Sequence, residues 1–184
     1  MTKYAVNGAA IGPVGGAGQI ITQVRRAASR SPDYVVFNGG TNDADLVYHH
    51  RYKIGAMADG FDPATFDHST YAGSLETTLS TMRTKWPSAR IVYAAVHKLG
   101  SRDWDTQFAL RSVTLQLCHK WGVKVADVFN DTTLDTRTDG QRVAYTFNDL
   151  VNGYPGTGGT GTHPNIAGIT DFYVPVLTTA PAQP

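Results

Sequence analysis

The stretch Tyr34-Val35-Val36-Phe37-Asn38-Gly39-Gly40-Thr41-Asn42-Asp43 decides the fold of this 184-residue chain. It opens with four apolar residues after Ser-Pro-Asp, a pattern typical of a strand buried on both faces of a parallel sheet. The strand then gives way to glycines and polar side chains. Because ligands bind beyond the carboxyl ends of the strands in open α/β sheets, Thr41, Asn42 and Asp43 are candidate functional residues.

On either side of this strand, the sequence alternates between strand and helix patterns. Three more strands are predicted, at residues 4–6, 90–96 and 123–128. Apolar residues at helical spacing predict four helices, at residues 20–28, 71–86, 103–121 and 165–177. Two irregular regions remain: residues 43–70, with one helical turn near residues 46–50, and a polar, Gly-rich loop at residues 130–163. The alternation predicts an α/β fold, a three-layer α/β/α sandwich with a mostly parallel sheet.

Composition favours one globular domain and argues against two classes of partner. The formal net charge is +1, and no apolar run approaches the length of a membrane-spanning helix, so neither nucleic acid nor membrane is an expected partner. Residues 1–177 are interpreted as the domain and residues 178–184 as a tail or the start of a linker, with room for a further domain at either end. Cys118, the single cysteine, is interpreted as a small core residue. The first residues lack the features of a signal peptide, which leaves the compartment open.

Two further motifs follow predicted strands. Gly8, in Asn7-Gly8-Ala9, follows the first strand, and His163, in His163-Pro164-Asn165, ends the loop after the fourth. Together with Asn42 they suit acyl transfer, because a histidine can act as general base while the Asn42 amide and the Gly8 backbone N–H donate to an oxyanion. The structural alternatives are an Asx-turn for Asn42, an N-cap for Asp43 and a steric requirement for Gly8.

These motifs resemble the SGNH (GDSL) hydrolase superfamily, in particular its small acyl-esterase branch of carbohydrate esterases and phage tail proteins. The resemblance runs from Lys3 to Leu177 and rests on Ala5-Val6-Asn7-Gly8-Ala9, on Gly40 to Asp43, and on Thr160-Gly161-Thr162-His163-Pro164-Asn165. It implies a flavodoxin-like sheet, with His163 as base and Asn42 and Gly8 as oxyanion donors. Secretion and association with a virion, as part of a longer protein, are both compatible with this resemblance, and the compartment stays open.

The sequence departs from the family pattern at two places. The Gly-Asp-Ser block that carries the nucleophile is absent, and with it the first strand and helix, which in the strand order 2-1-3-4-5 leaves a gap beside residues 34–37. Either the strands at residues 4–6 and 34–37 pair directly, or another segment fills the gap, or the chain is a fragment. In addition, Thr160 stands where the family has the aspartate that orients the histidine. The His163 ring must then be oriented by the Thr160 hydroxyl or by a backbone carbonyl.

Other polar residues were assigned by the same reasoning. Ser101 lies between a strand and a helix without the Gly-x-Ser-x-Gly pattern, which favours a helix N-cap over a nucleophile. Adjacent His49 and His50 lack further ligands at metal spacing, so neither a metal nor a cofactor is expected. We expect Asp43, Thr41 and Tyr48 to contact substrate, and Tyr52 and Phe61 are further candidates for a substrate groove.

Two functions remain open at this point. The first is an esterase domain that removes acetyl or other short acyl groups, most simply from carbohydrate, with a serine supplied from outside the chain. The alternative is a non-catalytic, degenerate SGNH fold that acts as a glycan-binding, phage-tail or adhesin module.

Overall fold

A parallel three-stranded sheet lies at the centre of the fold in the computed structural model, which describes residues 1–147 and 159–180. The strands are β1 (Tyr34–Phe37), β2 (Arg90–Ala95) and β3 (Lys124–Asp127), in the order β1-β2-β3. In the register, Val36 lies opposite Val92 and Ala94 opposite Ala126. The predicted α/β class with a parallel sheet is therefore confirmed.

Eight α-helices are described, together with 3-10 helices at Gly16–Gly18 and Pro63–Thr65 and a π-helix at Ile169–Tyr173. The α-helices are α1 (Ile20–Arg26), α2 (Thr41–Tyr48), α3 (Tyr71–Lys85), α4 (Trp104–Lys120), α5 (Val128–Asp131), α6 (Asp139–Tyr145), α7 (Ile166–Gly168) and α8 (Val174–Thr179). No helix among the described residues is both long and apolar enough to span a membrane.

The two longest helices begin and end where the sequence predicts, because their caps are local. The Thr70 hydroxyl accepts from the Gly73 N–H at the start of α3, and the Asp103 carboxylate accepts from the Thr106 N–H at the start of α4. Asp103 therefore caps α4, and the N-cap assignment for Ser101 is wrong. Cys118 is fully buried, as predicted.

Two predictions near the motifs of the N-terminal half are wrong. Residues 4–6 form no strand, and Tyr4 and Val6 are 41% and 42% exposed, because no neighbouring strand offers them hydrogen bonds. The helix expected near residues 46–50 starts earlier, at Thr41. There the Gly40 N–H donates to the Asp43 carboxylate at 3.0 Å, so the motif itself forms the first turn of α2.

The C-terminal half also differs in detail from the prediction. Helices α5 and α6 occupy part of the predicted loop at residues 130–163; the stretch 148–158 of that loop lies outside the described residues. The last helical region runs past residue 177, and Ala180 is fully buried against Val92 and Ala126. The domain boundary predicted at residue 177 thus falls inside packed structure. The rest of the tail, residues 181–184, is not among the described residues.

The two faces of the sheet are covered unequally. On one face, β2 lies under α3 and α4 in the main core, which includes Leu75, Leu79 and Leu117. On the other face, α8 covers Val92 and Ala126. Val36 lies on this second face, because it pairs with Val92, but it is 58% exposed, and β1 has no strand on its outer edge among the described residues. Helix α8 therefore covers β2 and β3 but leaves β1 open.

Candidate active site

Asp43 ties the start of α2 to the loop that follows Gly8. Its side chain is fully buried; Oδ2 accepts from the Ile11 and Gly40 N–H groups, and Oδ1 accepts from the Gly12 N–H at 2.7 Å. Oδ1 also accepts from the Tyr52 hydroxyl at 2.7 Å. With four donors on a buried carboxylate, the geometry gives Asp43 a structural role in place of the predicted substrate contact.

Tyr52 belongs to the same set of hydrogen bonds around Asp43. Its hydroxyl stays protonated and donates to Asp43, because burial and the Asp43 charge raise the tyrosine pKa. The ring packs so close to Gly12 that a Cβ there would lie 2.3 Å from it. Tyr52 is therefore a core residue, and the suggestion that it lines a substrate groove is wrong.

Asn42 and Gly8 are brought together by one hydrogen bond. The Asn42 amide Nδ2 donates to the carbonyl oxygen of Ala9 at 2.9 Å, which places the turn around Gly8 beside the start of α2. Gly8 has φ +74°, a conformation that favours glycine, and no atom lies within 4 Å of the position of a Cβ. Since an amide carries two hydrogens, Asn42 keeps one for another acceptor.

His163 lies in a tight turn held by Thr160. The Thr160 hydroxyl accepts from the backbone N–H of His163 at 2.9 Å and from that of Thr162 at 3.2 Å, and Thr160 is 7% exposed. The hydroxyl therefore orients the backbone of the turn and not the imidazole ring, contrary to one of the two options from the sequence. The His163 side chain itself is exposed and makes no hydrogen bond within the described parts of the chain.

The loop at Ser101 and Arg102 touches both motifs. Arg102 Nε donates to the Thr41 carbonyl at 3.0 Å, and the Ser101 hydroxyl makes a short hydrogen bond with the Thr162 hydroxyl. Thr41 and Thr162 directly precede Asn42 and His163. The structure therefore brings the three predicted segments, around Gly8, Asn42 and His163, to one end of the sheet.

The sequence did not predict that this loop positions the segments of Asn42 and His163. Its location after β2, at the carboxyl end of the sheet, is the signal that could have found it. The Ser101 hydroxyl is engaged by Thr162 and by Arg102 at 3.4 Å, and it makes no hydrogen bond to His163. Ser101 therefore does not form the serine–histidine pair that a nucleophile needs.

The remaining predicted residues lie further from these contacts. Tyr48, at the far end of α2 from Asn42, is 54% exposed, and its ring meets that of His49. Its predicted substrate contact stays a prediction. Phe61 is 59% exposed and packs edge-on against Trp121. No group of three or more metal-ligating side chains occurs within residues 1–147 and 159–180.

His97 is a buried histidine for which the sequence predicts no role. It is fully buried just after β2, and its Nδ1 lies 2.7 Å from the Tyr173 hydroxyl. Burial lowers the His97 pKa to about 4, and the nearby His163 also lowers it. The Gly161 carbonyl and the Asp135 charge raise the His97 pKa, but by less than burial lowers it. His97 is therefore neutral at pH 7 and packs against the turn that carries His163.

Because His97 is neutral in the folded chain but titrates normally when unfolded, stability should fall on acidification. Between its folded pKa and its ordinary value of 6.5, the unfolded state binds the proton and the native state does not. We expect this residue to remove about 2 kcal/mol of unfolding free energy between pH 7 and pH 5. Urea titrations of the wild type and His97→Gln at both pH values measure this. A pH dependence that is equal in the two proteins would contradict the assignment.

Comparison with known families assigns the chain to one of them. The model of the GDSL-like lipase/acylhydrolase family matches residues 2–169, which include all three motifs. The chain belongs to this family. Membership confirms the resemblance to SGNH (GDSL) hydrolases that the motifs carry. Comparison with curated proteins gave no match.

Three solved structures share the fold. A protein from Lactobacillus plantarum aligns with a TM-score of 0.70 at 19% identity, covering 94% of this chain and 76% of its own. A GDSL-like lipase from Bacteroides ovatus gives 0.58 at 15% identity, covering 96% and 69%. Phospholipase A1 from Streptomyces albidoflavus gives 0.59 at 18% identity, covering 87% and 75%. At these identities the similarity shows the fold alone.

Proposed function

We propose that this GDSL-family domain hydrolyses acetyl or other short acyl esters, most simply on carbohydrate, with a serine supplied from outside the chain. The observation that carries the proposal is the loop at Ser101 and Arg102, which contacts the residue before Asn42 and the residue before His163. Family membership supports the reaction class, and the carbohydrate substrate rests on the resemblance to the small acyl-esterase branch.

The exposed residues and the free edge of β1 support the proposal that the serine comes from outside the chain. Tyr34 and Val36 are 46% and 58% exposed, although strands of parallel sheets are normally covered on both faces. A strand paired to the free edge of β1, followed by a helix over Val36, would remove this exposure. The carboxyl end of a strand parallel to β1 would lie beside Gly39 and Gly40, where a nucleophile is needed. We therefore place the serine at the end of such a strand.

The proposed reaction follows from the roles of the three residues. The serine oxygen attacks the ester carbonyl carbon while His163 accepts its proton, and Asn42 and Gly8 donate hydrogen bonds to the oxygen that becomes negative. Collapse of this intermediate breaks the ester C–O bond, and His163 protonates the departing alcohol. Water, deprotonated by His163, then attacks the acyl-serine, the bond to the serine oxygen breaks, and His163 returns the proton to that oxygen, which releases the carboxylic acid and regenerates the serine.

A small cavity supports a short acyl group. It has a volume of about 30 Å³ and is lined by Gly39, Gly40, Tyr93, Val96 and Leu99 among others, so it adjoins the glycines that precede α2. That is room for a group about the size of a methyl or a water. A long acyl chain would not fit there without displacing core side chains.

The experiment compares the 184-residue chain with the same chain extended by the in-frame sequence upstream of Met1. We expect the chain alone to hydrolyse p-nitrophenyl acetate no faster than free imidazole, and the extended protein to show a burst and steady turnover. Equal background rates in both, with the extended protein folded by circular dichroism, would contradict esterase activity and favour a binding module.

A further inference from the structure

Arg102 carries a positive charge at the proposed site, and no carboxylate among residues 1–147 and 159–180 forms an ion pair with it. It lies between the segments of Asn42 and His163 and is only partly exposed. The ion pairs of the described residues involve other side chains, namely His49, Arg111, Lys120, Arg137 and Arg142. A partly exposed guanidinium without a counter-ion keeps its full positive charge, which an anionic ligand can use.

The hydrogen bonds of Arg102 fix one side of the guanidinium and leave the other available. Nε donates to the Thr41 carbonyl at 3.0 Å, and Nη1 donates to the Ser101 carbonyl at 2.9 Å. Nη2 has no acceptor among residues 1–147 and 159–180. Two neutral carbonyls thus hold the guanidinium in place and leave its charge and the two Nη2 hydrogens for another acceptor.

Two carboxylates of the described residues, Asp103 and Asp43, are already engaged by other donors. Asp103, the next residue, accepts from the Thr106 backbone N–H at 2.8 Å and from the Thr106 hydroxyl at 2.6 Å. Asp43, two residues from the Thr41 carbonyl that Arg102 binds, is fully buried with four donors of its own. Neither carboxylate can turn to Arg102 without breaking these contacts.

We propose that Arg102 is a specificity-determining residue that binds a carboxylate on the ester substrate. The inference rests on the proposed function, since it assigns a substrate class to that same site. A guanidinium recognises a carboxylate by charge-assisted hydrogen bonds, and its fixed position between the two motifs places that carboxylate next to the scissile ester. The carboxylate belongs either to an acidic sugar or to a dicarboxylic acyl group, and these two sources are chemically equivalent to the guanidinium.

The test measures binding to the 184-residue chain by NMR titration with three esters. They are an acetylated methyl glucuronide, with the carboxylate on the sugar; a monosuccinyl methyl glucoside, with the carboxylate on the acyl group; and an acetylated methyl glucoside, which is neutral. We expect one charged ester to bind about tenfold more tightly than the neutral one, as one charge-assisted hydrogen bond implies. The charged ester that is favoured identifies the source of the carboxylate. Added salt should reduce this advantage.

Variants of Arg102 distinguish binding of the substrate carboxylate from support of the loop at Ser101 and Arg102. Arg102→Gln should abolish the charge preference, measured as the ratio of the Kd values of the neutral and charged esters, and Arg102→Lys should restore part of it. Arg26→Gln, an exposed arginine in the last turn of α1, is the matched control and should behave as wild type. A charge preference that persists in Arg102→Gln, or none in the wild type, would overturn the inference. If the neutral ester still binds, the proposed function stands; if no ester binds, this inference fails and the hydrolysis assay decides the function separately.

Discussion

Replacing His163 by alanine is expected to lower kcat for p-nitrophenyl acetate by about 10²–10⁴-fold in the extended protein, the range that a general base contributes. The exposed imidazole follows a turn fixed by the Thr160 hydroxyl, and it makes no hydrogen bond within residues 1–147 and 159–180 that its loss would break. The folded structure should therefore tolerate the change. Because the proton transfer occurs in the transition state, KM should change little.

His119→Ala is the matched control for this prediction. His119 is exposed in the last turn of α4, away from the three motifs, so its removal should leave kcat unchanged. Steady-state rates and unfolding curves of both variants should be measured together. A His163→Ala variant that keeps the wild-type kcat would show that another group accepts the proton.

Replacing Asp43 by alanine should lower the free energy of unfolding by about 3–5 kcal/mol, because each buried donor left without a partner costs about 1–3 kcal/mol. The change removes the acceptor for the Ile11, Gly12 and Gly40 N–H groups and for the Tyr52 hydroxyl. It also disconnects α2 from the loop after Gly8. Urea unfolding of the 184-residue chain measures the effect.

Two further variants show whether the loss comes from these four bonds. Asp43→Asn keeps one oxygen acceptor and turns an NH₂ group toward two of the donors, so its stability should lie between those of Asp43→Ala and the wild type. Asp62→Ala removes an exposed carboxylate that accepts from the Ala64 N–H, and should lower stability by about 1 kcal/mol. An Asp43→Ala loss as small as that of Asp62→Ala would contradict the structural role of Asp43.

The elements that sequence reasoning predicts well are those with local causes. The apolar run at residues 34–37 and the periodic patterns of α3 and α4 each encode both the element and its buried face. Thr70 and Asp103 then cap the two helices through contacts three residues along the chain. The roles of Gly8, Asn42 and His163, which stand in short recognisable patterns, stay predictions.

The errors have non-local causes. Residues 4–6 have a strand pattern, but a strand needs a partner, and β1 is the free edge of the described sheet with nothing paired to it. Asp43 stands in a polar segment and was expected to contact substrate, and only the fold reveals the four donors around it. His97 and Arg102 carry no motif, so their roles depend on which loops meet at the end of the sheet.

By itself, the sequence determined the α/β class, the parallel strands and the family, because these follow from local apolar patterns and short motifs within residues 2–169. Only the tertiary structure decided that Asp43 is buried, that Thr160 holds the backbone of His163, and that the Ser101–Arg102 loop joins the two halves of the site. The physical reason is that each of these roles is a hydrogen bond whose partner the fold supplies, often from a segment distant in sequence.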